Sequence, residues 1–430
     1  MHKLLLLFVS ISFLFVAVAQ SEDDYYDDNH IRYDDYTYNQ QYKSVQFFKT
    51  GFELSKPIIQ LGSGENLTLR FDDLYAGSQT YYYTFILCNA DWTPADLLSM
   101  EYIDGVNEEY FNTVHGSFNT TIQYTNYNVQ LPSRNMRLTK AGNYILKVFP
   151  EGEPDAPIIT RRMYVVDNKV GAAIEFLIPN APQYRDNKQE LYVKVDLLGY
   201  SMPNIYEDFT MVIQQNGRKD NKIIKHVPKV MTSNYLYFNL ANDILFDGSN
   251  EFRPFDIRSL RTQSARISTI TFDSAGYQVD LLTDQSRNGK NYLNYSELNG
   301  AFSIINWDDP QLSQQIESDY AFVNFSLRLD SVINDGGIYL MGALTNWRFD
   351  RESRMTYDRL TKTYTNTLLM KQGVYDYQYV YVPNNTKQGN VEVFEGNHSE
   401  TGNVYTVFIY YRDQGKYWDR LIGYHTINTY

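Results

Sequence analysis

From Val45 to its end the chain is written in short runs where apolar and polar residues alternate, each run closed by a turn signal. "NLTLRFDDL" (66–74) passes through "AGSQ" to "TYYYTFILC" (80–88), and "KAGN" precedes "YILKVFPE" (144–151). A period of two sends successive side chains to opposite faces of a pleated strand, and the closely spaced turns leave no room for a long helix. Long helical periodicity appears nowhere. The 39 Tyr, 24 Phe and 4 Trp, set against 13 Pro, fit that reading, because aromatic and β-branched side chains suit half-buried sheet surfaces. The expected fold class is all-β: immunoglobulin-like β-sandwich domains in tandem.

The first residues set the compartment. His2 and Lys3 precede an apolar run from Leu4 to Val18, and Ala17-Val18-Ala19 is a small-x-small signal. Residues 1–19 read as a signal peptide cleaved after Ala19, so the mature chain is expected to be exported. No later segment is long and apolar enough to span a membrane as a helix. Residues 20–43 carry seven acids against Arg32 and Lys43 and have no period, so they are expected to be disordered. Three strand series follow: a sandwich over 44–167, a second over 168–318 after the linker "DNKVG", and a third over 319–430.

Several chemistries find no support in the residues. A formal charge of −13 opposes nucleic-acid binding, which needs a basic face. A single cysteine forms no internal disulfide, so stability rests on packed cores. His2, His30, His115, His226, His398 and His425 stand without a second His or Cys at metal-ligand spacing. His398 lies between Glu395 and Glu400 in a polar loop, which is not by itself an acid–base site. The expectation is no catalytic residue, no metal and no cofactor. A carboxylate pair for glycoside hydrolysis among the 51 acids is not identifiable from sequence. Cys88 ends the apolar run "FIL" with no cation close by, and a reactive thiol needs one. It reads as a strand-end residue, with Asp91 capping a turn and Trp92 closing the core.

Two resemblances add to this. The stretch 336–382, with Gly342, Trp347, Met355, Gly373, Tyr375, Tyr377 and Tyr379, resembles the early-set immunoglobulin-like module of glycogen-binding domains. In that family sugar stacks on the residue matching Trp347 and on a second Trp, whose place here falls in "VPNNTK". A carbohydrate-binding accessory protein using Trp347 is therefore the alternative function.

Over the N-terminal two thirds, "LRFDDL", "YYYTFILCNADWTPADL", "EYIDG", "YTNYNVQLP", "AGNYILKVFPEG", "ITRRMYVVDNKVG" and "LNGAF", and near the end "YYRDQGKYWDRLIGY", together covering nearly the whole mature chain, resemble the plug proteins of the type IX secretion system, exported Bacteroidetes proteins. Asp72, Cys88, Asn89, Asp91, Trp92, Glu101, Tyr102, Gly142, Asn143, Tyr144 and Arg161 carry the pattern and read as structural. The resemblance implies a non-enzymatic periplasmic protein that binds a very large outer-membrane β-barrel translocon and closes it when idle. Trp307, Tyr320, Tyr417 and Trp418 are the aromatic candidates for that contact.

Overall fold

The computed structural model describes residues 30–429, apart from 76, 240–241 and 309–312. The expected signal peptide, its cleavage point and residues 20–29 lie outside the described residues.

The alternating runs form strands, and three two-sheet sandwiches result. In the first, Leu67–Asp73 pairs with Tyr42–Lys49 and Thr125–Leu131 in one sheet, while Gly142–Pro150 lies between Tyr81–Cys88 and Ile159–Val166 in the other. Residues of even spacing on these strands, including Tyr81, Tyr83 and Phe85, meet Leu67, Leu69 and Phe71 in one core. Much of that core is aromatic: the Phe71 ring lies parallel to Tyr127 at 5.1 Å and edge-on to Tyr81 at 5.6 Å. Such offset and edge-to-face pairs add to the area each ring buries.

The second and third sandwiches depart from the expected boundaries. Phe209–Gln215 pairs not with a neighbour in sequence but with Val404–Tyr411, which in turn pairs with Arg420–Asn428. The last two strands therefore complete the second sandwich, opposite the sheet of Gly171–Leu177, Lys188–Asp196 and Tyr235–Phe238. Conversely, Arg253–Asp256 and Phe302–Ile304 pair with Gly373–Pro383, and Gly276–Leu281 runs parallel to Tyr320–Arg328. The division at residue 318 is thus corrected: the third sandwich is inserted into the second, between Leu245–Asp247 and Val404–Tyr411. Alternation in sequence marks a strand but not its partner, so strands from distant segments are assigned to the wrong core by proximity alone.

The disorder expected over 20–43 is also corrected for residues 30–43. Tyr36–Thr37 adds to the edge of Ile159–Val166, and Tyr42–Lys49 starts the first sandwich. Backbone pairing and ion pairs supply what the composition lacks in aliphatic surface. The linker 167–171 is likewise tied down, by bonds from Asp167 N to Leu421 O (3.0 Å) and Lys169 N to Ile422 O (2.8 Å). At Gly423 a Cβ would meet Val170 O at 2.9 Å, so a residue without a side chain lets the linker lie flat on the strand.

Candidate functional site: the seams between the sandwiches

Most residues of the sequence pattern fall at the junctions between sandwiches. The strand Tyr81–Cys88 ends in the tight loop 89–92, where Thr93 N donates to Asp91 Oδ1 at 3.0 Å and Trp92 takes a positive φ of 73°. A bulky residue in the left-handed region is strained and persists only where its surroundings fix it. Here they do. The Trp92 ring meets Tyr164 edge-on at 5.4 Å and lies under the Arg162 guanidinium at 4.3 Å. Tyr164 in turn stacks on Phe408 of the second sandwich at 4.2 Å. Cys88, Ala90, Ile145 and Val166 join Val212, Tyr410 and Leu421 in one buried cluster that belongs to both sandwiches.

Polar groups fix the register of this seam. Ala90 N donates to Asp419 Oδ2 (2.9 Å), and Asp419 also receives Arg412 Nε (2.8 Å). The Asn143 amide donates to Asn89 O (3.0 Å) and accepts the Tyr410 hydroxyl (2.8 Å). Gly142 permits a close approach across the seam: a Cβ there would lie 3.3 Å from Asp419 O, and 3.0 Å from Leu87 Cδ1 of its own sandwich. Trp418 is half-buried in the same seam, donating to Ala141 O at 3.0 Å, which removes it from the surface candidates.

Cys88 is fully buried, and that burial pushes its thiol up to about 12, with Arg162 acting in the other direction. At neutral pH it is a packed, protonated thiol. Glu101 caps the single turn Ser99–Tyr102 by accepting from Leu98 N (2.8 Å), and the Tyr102 and Tyr144 hydroxyls donate to Phe85 O and Lys140 O. These three hold the first sandwich itself.

Asp72 makes the second seam. Its carboxylate accepts from Asn126 Nδ2 (2.7 Å), from the Tyr320 hydroxyl (2.7 Å) and from Lys371 Nζ (2.6 Å), the last two on the third sandwich. Lys371 also lies 4.0 Å from the Tyr124 ring centre and donates to Gln315 O. Burial pulls the Lys371 ammonium below its ordinary value, opposed by Asp72. Tyr320 is fully buried here, so it too leaves the surface candidates. Arg161 ties the edge strand instead, donating to Tyr36 O and Thr160 O, both at 2.8 Å.

The third seam contains Trp347, whose φ is 59°. Its ring is half-buried, 5.9 Å edge-on from Phe252. A Cβ added at Gly300 would lie 2.5 Å from the ring, and one at Gly217 of the second sandwich 3.6 Å from it. The side chain is a wedge between sandwiches and not an open platform for a sugar. The remaining aromatic candidates are exposed: Trp307 is 57% accessible with the Arg258 guanidinium 3.2 Å over its ring, and Tyr417 is 66% accessible.

Among the described residues, no group of three or more His, Cys, Asp or Glu is placed to hold a metal ion, and no helix is long and apolar enough to cross a membrane. Glu395 is consumed by Arg253 and Arg287, at 2.9 and 2.7 Å, away from any acid–base partnership with His398.

Sequence reasoning missed Lys371, Asp419 and Arg162 as seam residues. Asp419 and Trp418 sit in a stretch that carried the family resemblance, and that was the available signal.

A search of curated proteins finds no match. A crystal structure of a hypothetical protein from Parabacteroides merdae superposes with a TM-score of 0.89 at 30% identity, over 93% of this chain and 100% of that one. The partial N-terminal region of an enterococcal surface protein aligns only with a TM-score of 0.19 at 8% identity. Residues 42–167, the sandwich that contributes Asp72 and the 88–92 loop to the seams, match the model of the type 9 secretion system plug protein first domain. With that match over the first sandwich and a relative of the same three-sandwich build along nearly its whole length, the chain belongs to the type 9 secretion system plug protein family.

Proposed function

We propose that this protein is a periplasmic plug: it binds the large outer-membrane β-barrel of the type IX secretion system and closes the periplasmic opening when no cargo is in transit. The observation that carries the reading is the seams. The family's pattern residues are spent on locking three sandwiches into one stiff body, through Asp72, Trp92 and Asn143. A pore wide enough for folded cargo is stopped by a large body that does not deform, and such a body needs no reacting groups. A specific and releasable seal buries at least about 1,000 Å² with a mixed polar and aromatic face. Trp307 under Arg258, together with Tyr417, supplies exposed anchors of that kind.

Affinity capture with tagged protein from solubilised outer membranes tests the reading. Recovery of a very large barrel protein is the expected result, with recovery lowered by Trp307→Ala combined with Tyr417→Ala. Capture without any such barrel, or unchanged outer-membrane permeability in cells lacking the chain, overturns it.

A further inference from the structure

The segment 33–38 occupies a notch to which all three sandwiches contribute. Its backbone adds antiparallel to the edge of Ile159–Val166, with Tyr36 opposite Thr160 and Thr37 opposite Ile159. Tyr38 N donates to Ile158 O at 3.0 Å, and Arg162 reaches back to Tyr33 O at 2.8 Å. This is how an extended peptide adds itself to a sheet edge: main-chain bonds hold it and pockets select its side chains.

The pockets are specific. Asp34 meets Arg162 of the first sandwich (3.4 Å), Lys219 of the second and Arg348 of the third (3.5 Å), one cation from each body. Asp35 accepts from Arg162 N (2.7 Å) and pairs with Lys219 (2.8 Å). The Tyr36 ring lies against the Arg348 guanidinium of the third sandwich at 4.6 Å and against Arg32, next to the segment itself, at 3.9 Å. Burial alone raises the carboxyl of Asp34, yet Lys219, Arg162 and Arg348 overcome it and hold the group well below the usual range.

We infer that this notch is a peptide-binding site for an extended segment with two adjacent carboxylates followed by an aromatic residue, occupied here in cis by residues 33–38. The warrant is that the cations reaching Asp34 come from parts of the chain far from it and from each other. They form a receptor whose geometry is set by the sandwiches and not by the segment. A tethered segment sits at a high effective concentration, so a partner's segment enters only when the tethered one is weakened or outcompeted. The inference does not depend on the plug reading.

The test uses the full chain carrying Asp34→Asn and Asp35→Asn, checked as folded by circular dichroism and melting. Its probe is a labelled peptide of the sequence HIRYDDYTYN, residues 30–39. Binding by this variant at least about tenfold tighter than by the unaltered chain is expected, because the tether no longer competes. Binding should fall by a similar factor when the peptide carries Asn at both acidic positions, when Lys219→Glu is added to the protein, or in high salt. If the double variant does not fold, Asp34→Asn alone takes its place. No binding by the folded variant overturns the inference. So does equal binding by the unaltered chain, which would mean that the peptide sits elsewhere.

Discussion

At the scale of single residues, buried charge decides more than any other contact. Asp72 and Lys371 are both nearly inaccessible, so deleting one leaves the other as an uncompensated buried ion. Lys371→Met should therefore cost about 3–5 kcal/mol, while adding Asp72→Asn should recover much of that loss, because a neutral pair no longer demands compensation. Denaturant unfolding of the two single variants and the double variant checks this; additive losses would contradict it. A second acidic pair, Glu297 and Asp376, makes stability depend on pH. Asp376 accepts from Leu298 N and from Gly300 N (3.4 Å). Burial first, then the hydrogen bond with Asp376, pushes the neighbouring Glu297 from 4.5 up to about 10. A carboxyl whose value is raised on folding contributes stability below its unfolded value and loses it as the pH climbs towards the folded one. The protein should accordingly weaken between about pH 5 and about pH 9, and Glu297→Gln, which is always neutral, should flatten that slope in melting curves. Cys88 offers a simpler check: its buried, protonated thiol should resist a disulfide reagent in the native state and react promptly once the chain is unfolded.

Among the elements, the governing fact is that strands from distant segments share sheets. A fragment of residues 319–430 lacks Arg253–Asp256, Gly276–Leu281 and Phe302–Ile304, which supply Phe255, Val279 and Ile304 to the third core. It also carries Val404–Tyr411 and Arg420–Asn428 without their partner strand Phe209–Gln215. That fragment should show the poor amide dispersion of an unfolded chain, whereas residues 251–402 should give a dispersed spectrum; a well-folded 319–430 would refute the inserted arrangement. The contrast also shows what was legible beforehand. Strand positions could be read because alternation is a local property: Tyr81, Tyr83 and Phe85 announce their shared face within five residues. Partner choice could not, because it depends on which apolar face meets which in space. The dull reading of Cys88 and Trp92 needed only their neighbours. The residues of the second sandwich that complete the cluster around them, Phe408 and Tyr410, and Asp419, which receives Ala90 N, stand more than three hundred residues away. Residues 30–43 misled for a related reason, since an acidic run looks unfoldable until the cations that receive it come from other segments.

Across the whole molecule, the seams make three cores behave as one. Separate sandwiches joined by loose linkers would unfold independently, each with its own melting transition. Here the cluster around Trp92 joins the first core to the second, Asp72 and Lys371 join the first to the third, and the insertion joins the third to the second twice through the backbone. Calorimetry of the intact protein should therefore show a single dominant transition. Trp92→Ala removes a ring packed on Tyr164 and beneath Arg162, a loss of about 3–5 kcal/mol concentrated at one seam. Because the first sandwich keeps its own core, the variant should separate into two transitions, the first sandwich melting apart from the joined second and third. A Trp92→Ala protein that still melts in one step, merely at a lower temperature, would show that Trp92 supports the first core alone and that stiffness comes from elsewhere. If the transitions separate, the proposed plug role carries a further expectation: the same variant should capture less of the outer-membrane barrel than the unaltered chain, since a body that hinges at this seam cannot present one fixed surface to a pore.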